Sequence, residues 1–494
     1  MKEKINKFFK IKENNSSIKI EVLAGITTFL AMAYILTVNP SNILWNGASD
    51  PRFGGVFIAT SIGAFIGTLA MSLIAKMPFA QAPGMGLNAM VGTIIGGGLG
   101  FGFSYGNAML LVFISGIIFL LLSILPGGYD EKEKRKVSLR EKIFEGMPEV
   151  IRKAIPVGIG LFITFIGLQN AHLVTSNNFT LLELIDFNDP SLYQAGGPAL
   201  GAIVTLFGLT VIGILSHFKV KGSVIIGILL ASVLSIPLGI ANLDILFGRE
   251  LVTWRFWENI GNYFSSDGVF LSLFKEGLNF PSGSFFTSLM LVLTFCMIDL
   301  FDTIGTIVGC SMDAKLVNED GKPLNYDKIM YSDSIAAIGA SIVGTSSVTT
   351  FVESGTGISA GGRTGLTSLT TAVLFLSSIF LLPLFAFIPS EASACALIYV
   401  GVLMMKNVLH IDFSSIKNSL PAFLTIIIMP FAYSITDGIG LGVISYVVIN
   451  GIIYIIELNK YEKGLIKEKP TCDITMVTLI VMFLFLIYFL MPTI

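Results

Sequence analysis

Charged residues are scarce in this sequence. Only 13% of the 494 residues are Asp, Glu, Lys or Arg, against about 25% in a typical soluble domain. Hydrophobic residues make up 53% of the chain. Since so few charges cannot cover the surface of a protein of this size, the composition excludes a soluble globular protein.

Residues that bind metals or form disulfides are equally few. The four cysteines are scattered and form no CxxC pair, which argues against a disulfide framework or a zinc site and predicts buried thiols. The three histidines, His172, His217 and His410, fall at or beyond the ends of apolar runs, so none is well placed to relay protons. No GxxxxGK[ST] phosphate-binding loop occurs. We therefore expect neither a cofactor nor an enzymatic activity.

Apolar runs long enough to cross a bilayer are abundant. About 20 residues suffice for a spanning helix, and shorter or glycine-interrupted runs follow residues 83, 331 and 353. The long runs cover residues 20–39, 53–75, 107–126, 149–169, 196–216, 222–241, 286–309, 366–388, 392–406, 418–434 and 437–456. Together they predict an all-α membrane protein of about fourteen helices. The run 473–492 is either a further span or a C-terminal appendage.

The distribution of Lys and Arg supports this count. Every connection after an even-numbered predicted span is basic, whereas residues 170–195, after the fifth span, contain no Lys or Arg. Six lysines lie within residues 1–20, with no apolar core of signal-peptide length. We therefore predict a multi-pass protein of the cell membrane with a cytoplasmic N-terminus. Segment 242–285, with Trp254 and Trp257, is predicted to be an external connection partly on the membrane surface.

Two short sequences recur in the same order. Segment 61–68 resembles 337–345, and segment 83–89 (PGMGLNA) resembles 354–360 (SGTGISA). Seven predicted spans separate the copies, and an odd number inverts the second copy, which is the inverted-repeat plan of secondary transporters. The residues that precede 83–89 and 354–360 disfavour helix. The first stretch, 77–83, contains prolines, and the second, 346–352, contains a run of β-branched residues. Extended backbone at membrane depth lines a cavity or is buried in protein, so we expect these breaks to face each other across a site.

Three carboxylates fall inside predicted spans, where each costs about 3 kcal/mol on insertion scales. Asp299, Asp302 and Thr306 follow an i, i+3, i+7 pattern that places them on one helix face. Glu353 opens the half-helix after the second break, and a helix N-terminus favours an ionised carboxylate. We predict that Glu353 anchors the substrate, that Asp302 also contacts it and carries the proton, and that Asp299 takes part in proton coupling. The structural alternatives are an interhelical hydrogen bond for Asp299 and a capping role for Glu353. Asp333, beside a basic loop, is predicted to be a helix cap.

Three motifs resemble a known family. QAPGMGLNA (81–89), DLFDTIGT (299–306) and TTFVESGTGISAGGRTGLTSL (349–369) are similar to those of the AzgA-like adenine, guanine and hypoxanthine permeases, a branch of the nucleobase/ascorbate transporter superfamily. The similarity runs from about residue 15 to 456. It implies a 7+7 inverted repeat, short strands in spans 3 and 10, and proton-coupled symport of a purine base. Homodimers through the gate domain occur among relatives of this kind.

The resemblance also implies a division of the chain into domains. The core domain would comprise 1–127 (spans 1–4) and 286–390 (spans 8–11), and the gate domain 128–241 (spans 5–7) and 391–456 (spans 12–14). The external connector is 242–285, and 457–494 forms a basic loop with the extra hydrophobic segment. In that family, the core moves against the gate.

Binding residues carry over by motif. The acids of spans 8 and 10 correspond to Asp302 and Glu353, Ser354 follows in the same motif, and Phe351 could stack on a planar ring. Thr306, a further predicted binding residue, stands where uracil-transporting relatives have His, which argues against pyrimidine transport. A looser match places four further residues near the base: Thr28, Ile35, Gly84 and Met85. The alternative function is an anion carrier or channel of the same fold, although a carboxylate at position 353 would repel an anion.

Overall fold

The computed structural model describes residues 2–44, 50–96, 102–130, 135–177, 179–247, 252–317, 323–463, 465 and 468–490. Parts of three predicted basic loops lie outside the described residues, namely 131–134, 318–322 and, after the last predicted span, 464 and 466–467. Most of the described chain is helical. The helices that precede the predicted connector are α1 (Lys2–Phe9), α2 (Ile18–Met32), α3 (Ile35–Ile43), α4 (Phe53–Ala70), α5 (Met85–Ile95), α6 (Tyr105–Ile124), α7 (Leu139–Gly146), α8 (Glu149–Asn170), α9 (Pro198–His217) and α10 (Ser223–Ser235).

The connector and the second half continue this pattern. The described part of the connector, 242–247 and 252–285, holds three short helices, α11 (Leu243–Leu246), α12 (Phe256–Phe264) and α13 (Ser272–Lys275). The later helices are α14 (Phe285–Ala314), α15 (Tyr326–Val343), α16 (Ser354–Ser359), α17 (Gly365–Ser377), α18 (Leu382–Ala386), α19 (Ser390–Met405), α20 (Ile416–Phe431), α21 (Ile435–Glu462) and α22 (Met476–Leu490). A π-helical turn, Met71–Ala75, extends α4. In the connector, Trp254 and Trp257 are at least half exposed.

Within the described residues, six short strands form three antiparallel pairs. The strands are β1 (Gln81–Pro83), β2 (Pro126–Asp130), β3 (Arg135–Ser138), β4 (Val174–Asn177), β5 (Leu181–Leu184) and β6 (Val348–Thr350). Strands β2 with β3 and β4 with β5 pair as neighbours in sequence, whereas β1 pairs with the distant β6.

Nine segments of the described chain are long and apolar enough to cross a membrane, and four shorter apolar helices accompany them. The nine are Ile18–Ile43, Phe53–Ala75, Tyr105–Ile124, Glu149–Asn170, Pro198–His217, Phe285–Ile304, Gly365–Ala386, Ser390–His410 and Ile435–Glu462. The shorter ones are α5, α10, α20 and α22. The prediction of a helical, multi-pass membrane protein is confirmed, and the count of fourteen spans stays a prediction.

The chain divides into two compact units. The first comprises Met1–Leu120, Thr164–Pro281 and Asp302–Tyr399. The second comprises Leu121–Ile163, Ser282–Phe301 and Val400–Ile494. Helix α14 contributes to both units, so Asp299 belongs to the second and Asp302 to the first. The division into core and gate refers to a motion, which compactness does not test, and stays a prediction.

The hydrophobic run after Asp473 forms α22 in the second unit. The hydroxyls of Thr475 and Thr478 donate hydrogen bonds to the carbonyl oxygen of Gly146 at the end of α7. Phe485 is fully buried, and a Cβ added to Gly440 of α21 would lie 2.6 Å from its ring. With 15 residues, α22 is shorter than a typical spanning helix. Within the second unit, α22 therefore contacts α7 at its start and α21 further along its length.

In the first unit, α2 and α16 lie unusually close to each other. A Cβ added to Gly357 would lie 2.0 Å from the Thr28 hydroxyl oxygen and 2.8 Å from the Ala24 carbonyl oxygen. Because the second of these atoms is backbone, a rotamer change cannot relieve both contacts. Only glycine at position 357 allows this approach of the two helices.

We expect Gly357→Ala to destabilise the protein by about 1–3 kcal/mol, because the added methyl group forces α2 and α16 apart. The matched control is Gly213→Ala in α9, where a Cβ would meet no heavy atom within 4 Å. Since alanine is the better helix former, the control should be neutral or slightly stabilising. The measurement is the midpoint of thermal unfolding in detergent, and equal midpoints for both variants would contradict the packing argument.

Candidate functional site

The two non-helical breaks of the first unit meet as a pair of strands. Strands β1 and β6 are antiparallel, with Gln81 opposite Thr350 and Pro83 opposite Val348, and every residue of both is buried. The pairing continues beyond the strands, because the Phe351 amide donates to the Ala80 carbonyl at 3.0 Å and the Gly84 amide to the Ser347 carbonyl at 3.0 Å. Each break therefore satisfies backbone groups of the other, which a membrane interior requires.

A half-helix follows each strand. Helix α5 begins at Met85 directly after Gly84, and α16 begins at Ser354 directly after Glu353. A Cβ at Gly84 would lie 2.9 Å from the Thr349 hydroxyl oxygen, so glycine permits the crossing of the strands. Helix α16 has only six residues. Its dipole is correspondingly small.

The two predicted acids lie at the crossing, by which we mean the paired strands β1 and β6 together with the starts of α5 and α16. The Tyr34 hydroxyl donates to Oε1 of Glu353 at 2.6 Å, and the Thr349 hydroxyl donates to Oδ2 of Asp302 at 3.2 Å. Both carboxyl groups belong to half-buried residues, whereas Tyr34 is almost fully buried. Tyr34 also interacts electrostatically with Asp302. The first unit thus brings Asp302, Glu353 and Tyr34 together around one pair of strands.

Ser354 closes the strand pair from the side of α16. Its hydroxyl accepts a hydrogen bond from the Ala80 amide at 3.0 Å and lies 3.5 Å from the Ala80 carbonyl oxygen, to which it donates. The side chain is fully buried. Its role in this structure is to tie the start of α16 to the residue before β1. A role in binding substrate stays a prediction.

The remaining predicted residues differ in how accessible they are. Ile35 is fully buried at the start of α3, and Met85 and Phe351 are also buried, with Phe351 7% exposed. Thr28 is fully buried, and its hydroxyl donates to the Ala24 carbonyl at 3.1 Å. Thr306 is half-buried on α14. Each lies in the first unit, and their predicted contacts with a base stay predictions.

Asp299 has a different environment from Asp302, although both lie on α14. It is 1% exposed and belongs to the second unit. Cys296, one turn earlier on the helix, interacts electrostatically with Asp299 and with Arg140, which is itself fully buried. The proposed part of Asp299 in proton coupling stays a prediction.

Sequence reasoning missed several residues that contact the acids. Tyr34 and Thr349 were not singled out, although a tyrosine between two apolar helices and a threonine in a broken span are polar groups that need partners. Asp333 was predicted to be a helix cap, and this is wrong. It lies in the interior of α15, is fully buried, and accepts from Gln81 Nε2 at 3.2 Å and from the Thr303 hydroxyl at 2.9 Å.

The sequence of this chain is similar to those of known permeases. The family model Xan_ur_permease, described as "Permease family", matches residues 19–441. The putative permease MJ0326 of Methanocaldococcus jannaschii is 38% identical, with 90% of this chain and 91% of that protein covered. The guanine/hypoxanthine permease PbuO of Bacillus subtilis is 35% identical, with 89% and 93% covered. The adenine permease AdeQ of Escherichia coli is 33% identical, with 90% and 89% covered.

Solved structures with a similar fold are those of transporters. The transmembrane domain of the cyanobacterium bicarbonate transporter BicA matches with a TM-score of 0.58 at 16% identity, covering 85% of this chain and 97% of that chain. SLC26A9 matches with a TM-score of 0.57 at 10% identity, covering 92% and 69%. At these identities the likeness concerns the fold alone, which is that of a helical membrane transporter.

Proposed function

Because this chain belongs to the permease family Xan_ur_permease and is not an enzyme, we propose that it is a secondary active transporter that imports a purine nucleobase. The observation that carries the proposal is the placement of Glu353 and Asp302 at the crossing of β1 and β6. The relatives named for guanine, hypoxanthine and adenine support a purine as the substrate.

The chemistry of the crossing fits a base with ring N–H groups. An ionised carboxylate at Glu353 is an acceptor only, so it suits the N–H donors of a purine edge. Tyr34 occupies one oxygen of this carboxylate and leaves acceptor capacity on the other. Phe351, the residue before Val352 and Glu353, would supply the aromatic face if its ring turns toward the base.

We propose proton symport as the coupling, with Asp302 as the group that takes up and releases the proton. Its partner Thr349 can donate to the ionised acid or accept from the protonated one, so the contact survives both states. Each proton entering down a potential of 100 mV contributes about 2.3 kcal/mol, enough to concentrate a neutral base. The movement we propose is an elevator-like displacement of the core domain. Homodimer formation through the gate domain is part of the same proposal.

Transport into proteoliposomes tests the function. Purified protein should accumulate labelled hypoxanthine, guanine or adenine when the lumen is made alkaline, and unlabelled purines should compete while uracil competes weakly. A sodium gradient of the same size, without a pH gradient, should have no effect. Absence of purine uptake, together with bicarbonate or chloride flux, would overturn the proposal in favour of an anion carrier.

We expect Tyr34→Phe to weaken purine binding about tenfold or more, because a hydrogen bond to a charged group contributes about 1.5–3 kcal/mol and orients the Glu353 carboxylate. The phenylalanine ring preserves the buried packing of position 34. The matched control is Tyr193→Phe, which removes a hydroxyl that donates to the Phe187 carbonyl in an exposed loop. Binding constants from equilibrium competition decide the matter, and equal affinities for the two variants would contradict the role of Tyr34.

A further inference from the structure

A buried carboxylate holds the turn between α16 and α17. Glu21, in the first turn of α2, has no exposed surface. Its Oε1 accepts from the Arg363 amide at 3.1 Å, and its Oε2 accepts from the Thr364 amide at 3.2 Å and from the Thr367 hydroxyl at 2.6 Å. These donors lie around the start of α17, whose first amides lack partners within the helix. The cap of α17 itself is Thr364, whose hydroxyl accepts from the Leu366 amide, and Glu21 holds this cap residue in place from another helix.

The end of α16 is fastened by the opposite charge. The Arg363 guanidinium donates through Nη1 to the carbonyl oxygens of Ile358 and Gly362, both at 2.7 Å. Gly361 between them has φ +103, a conformation that favours glycine and allows the chain to reverse. A cation at the carbonyl end of one helix and an anion at the amide end of the next are each favourable. We call the contacts that Glu21 and Arg363 make at the turn between α16 and α17 the 360–367 clasp.

Helix α2 lies close to both helices joined by the clasp. Besides the approach to Gly357, a Cβ added to Gly25 would lie 2.5 Å from the Thr367 carbonyl oxygen. Tyr34, two residues after the last residue of α2, contacts Glu353 at the start of α16. The short α16 is thus attached near both ends of α2, with Glu353 at one attachment and the clasp at the other.

We propose that Glu21 is a positioning residue for Glu353, acting through the 360–367 clasp; this rests on the proposed function of Glu353. A helix of six residues is only about 9 Å long, so a displacement at its carbonyl end shifts its first turn as well. Loss of the clasp would therefore change the position of the Glu353 carboxylate relative to Tyr34. The consequence is weaker substrate binding without any contact between Glu21 and the substrate.

The test compares Glu21→Gln and Thr367→Val with the conservative Thr367→Ser. Glu21→Gln replaces an acceptor by an amide donor that faces N–H and O–H donors, and we expect purine affinity to fall about tenfold. Thr367→Val keeps the shape but removes the 2.6 Å hydrogen bond, and a threefold to tenfold loss is expected. Thr367→Ser retains the hydroxyl and should bind like the unmodified protein. The surface control is Glu13→Gln, because the Glu13 carboxylate pairs with Lys10 and both side chains are exposed.

Hydrogen–deuterium exchange provides a readout that needs no substrate. The amides of Arg363 and Thr364 are direct partners of Glu21, so peptides covering 354–367 should exchange faster in Glu21→Gln and Thr367→Val. Peptides of α9 should be unchanged in both variants. If Glu21→Gln does not yield monodisperse protein, the comparison of Thr367→Val with Thr367→Ser decides alone.

The outcomes separate this proposal from the proposed function. Faster exchange at 354–367 with weaker purine binding supports the positioning role. Faster exchange in a protein that binds no purine even when unmodified supports the clasp and overturns the proposed function. Unchanged exchange, or purine affinities within twofold of the unmodified protein in both variants, overturns the positioning role.

Discussion

Glu353→Gln should abolish purine uptake while the protein is still produced and inserted. Glutamine keeps the size of the side chain but replaces one acceptor oxygen by an amide donor. The variant loses a charged hydrogen bond from Tyr34 or from the base, and an N–H group of the base would meet another donor. With about 1.5–3 kcal/mol for each charged hydrogen bond, affinity should fall by about a hundredfold or more.

Uptake of labelled hypoxanthine and equilibrium binding of the purified variant measure this loss. The matched control is Glu258→Gln, because Glu258 is an exposed acid of the connector that pairs with Arg255. The control should transport at the unmodified rate. Normal hypoxanthine uptake by Glu353→Gln would remove Glu353 from the site, and would remove the basis of the positioning role given to Glu21.

Asp302→Asn should separate binding from accumulation. Asparagine resembles the protonated acid in shape and charge, so the variant should still bind a purine and exchange internal for external base. It cannot release a proton, and uptake should no longer respond to the pH gradient. For one proton per base, a driving force of 100 mV supports about fiftyfold accumulation, and the variant should reach a ratio of about one.

Two assays on the same proteoliposomes distinguish these properties. Counterflow of labelled base reports exchange, and net uptake with an alkaline lumen reports coupling. Asp267→Asn, in the exposed connector, serves as the control. Gradient-driven accumulation by Asp302→Asn would assign the proton to another group, whereas loss of both counterflow and uptake would make Asp302 a binding residue only.

The broken segments show how far local sequence reasoning reaches. Prolines before α5 and β-branched residues before α16 disfavour helix locally, so the extended backbone at 81–83 and 348–350 lies where the sequence predicts it. The acids in the same motifs also draw attention by themselves, because a carboxylate in an apolar run is costly. The hydrogen-bond partners of these acids do not stand out in the sequence. Tyr34 and Glu353 are separated by 319 residues, and no local pattern connects them.

Asp333 illustrates the opposite case. Its place beside a basic loop suggested a cap at a helix end, but α15 begins at Tyr326 and includes it. A buried acid inside a helix needs donors from other elements, and Gln81 and Thr303 supply them. The residue was visible in the sequence as an acid near an apolar run. Its role depends on the tertiary structure, which places Gln81 of β1 and Thr303 of α14 next to its carboxyl group.

The sequence by itself determined that this protein is a many-span membrane protein with two interrupted segments and a few intramembrane acids. These are local properties, because hydropathy, charge cost and backbone propensity act over a few residues up to one helix length. Only the tertiary structure decided that β1 pairs with β6, that Asp302 contacts Thr349, and that Glu21 holds the residues before α17. The physical reason is that each of these contacts joins polar groups of residues far apart in the chain. The packing of the whole fold, and no local sequence pattern, determines which of these groups meet.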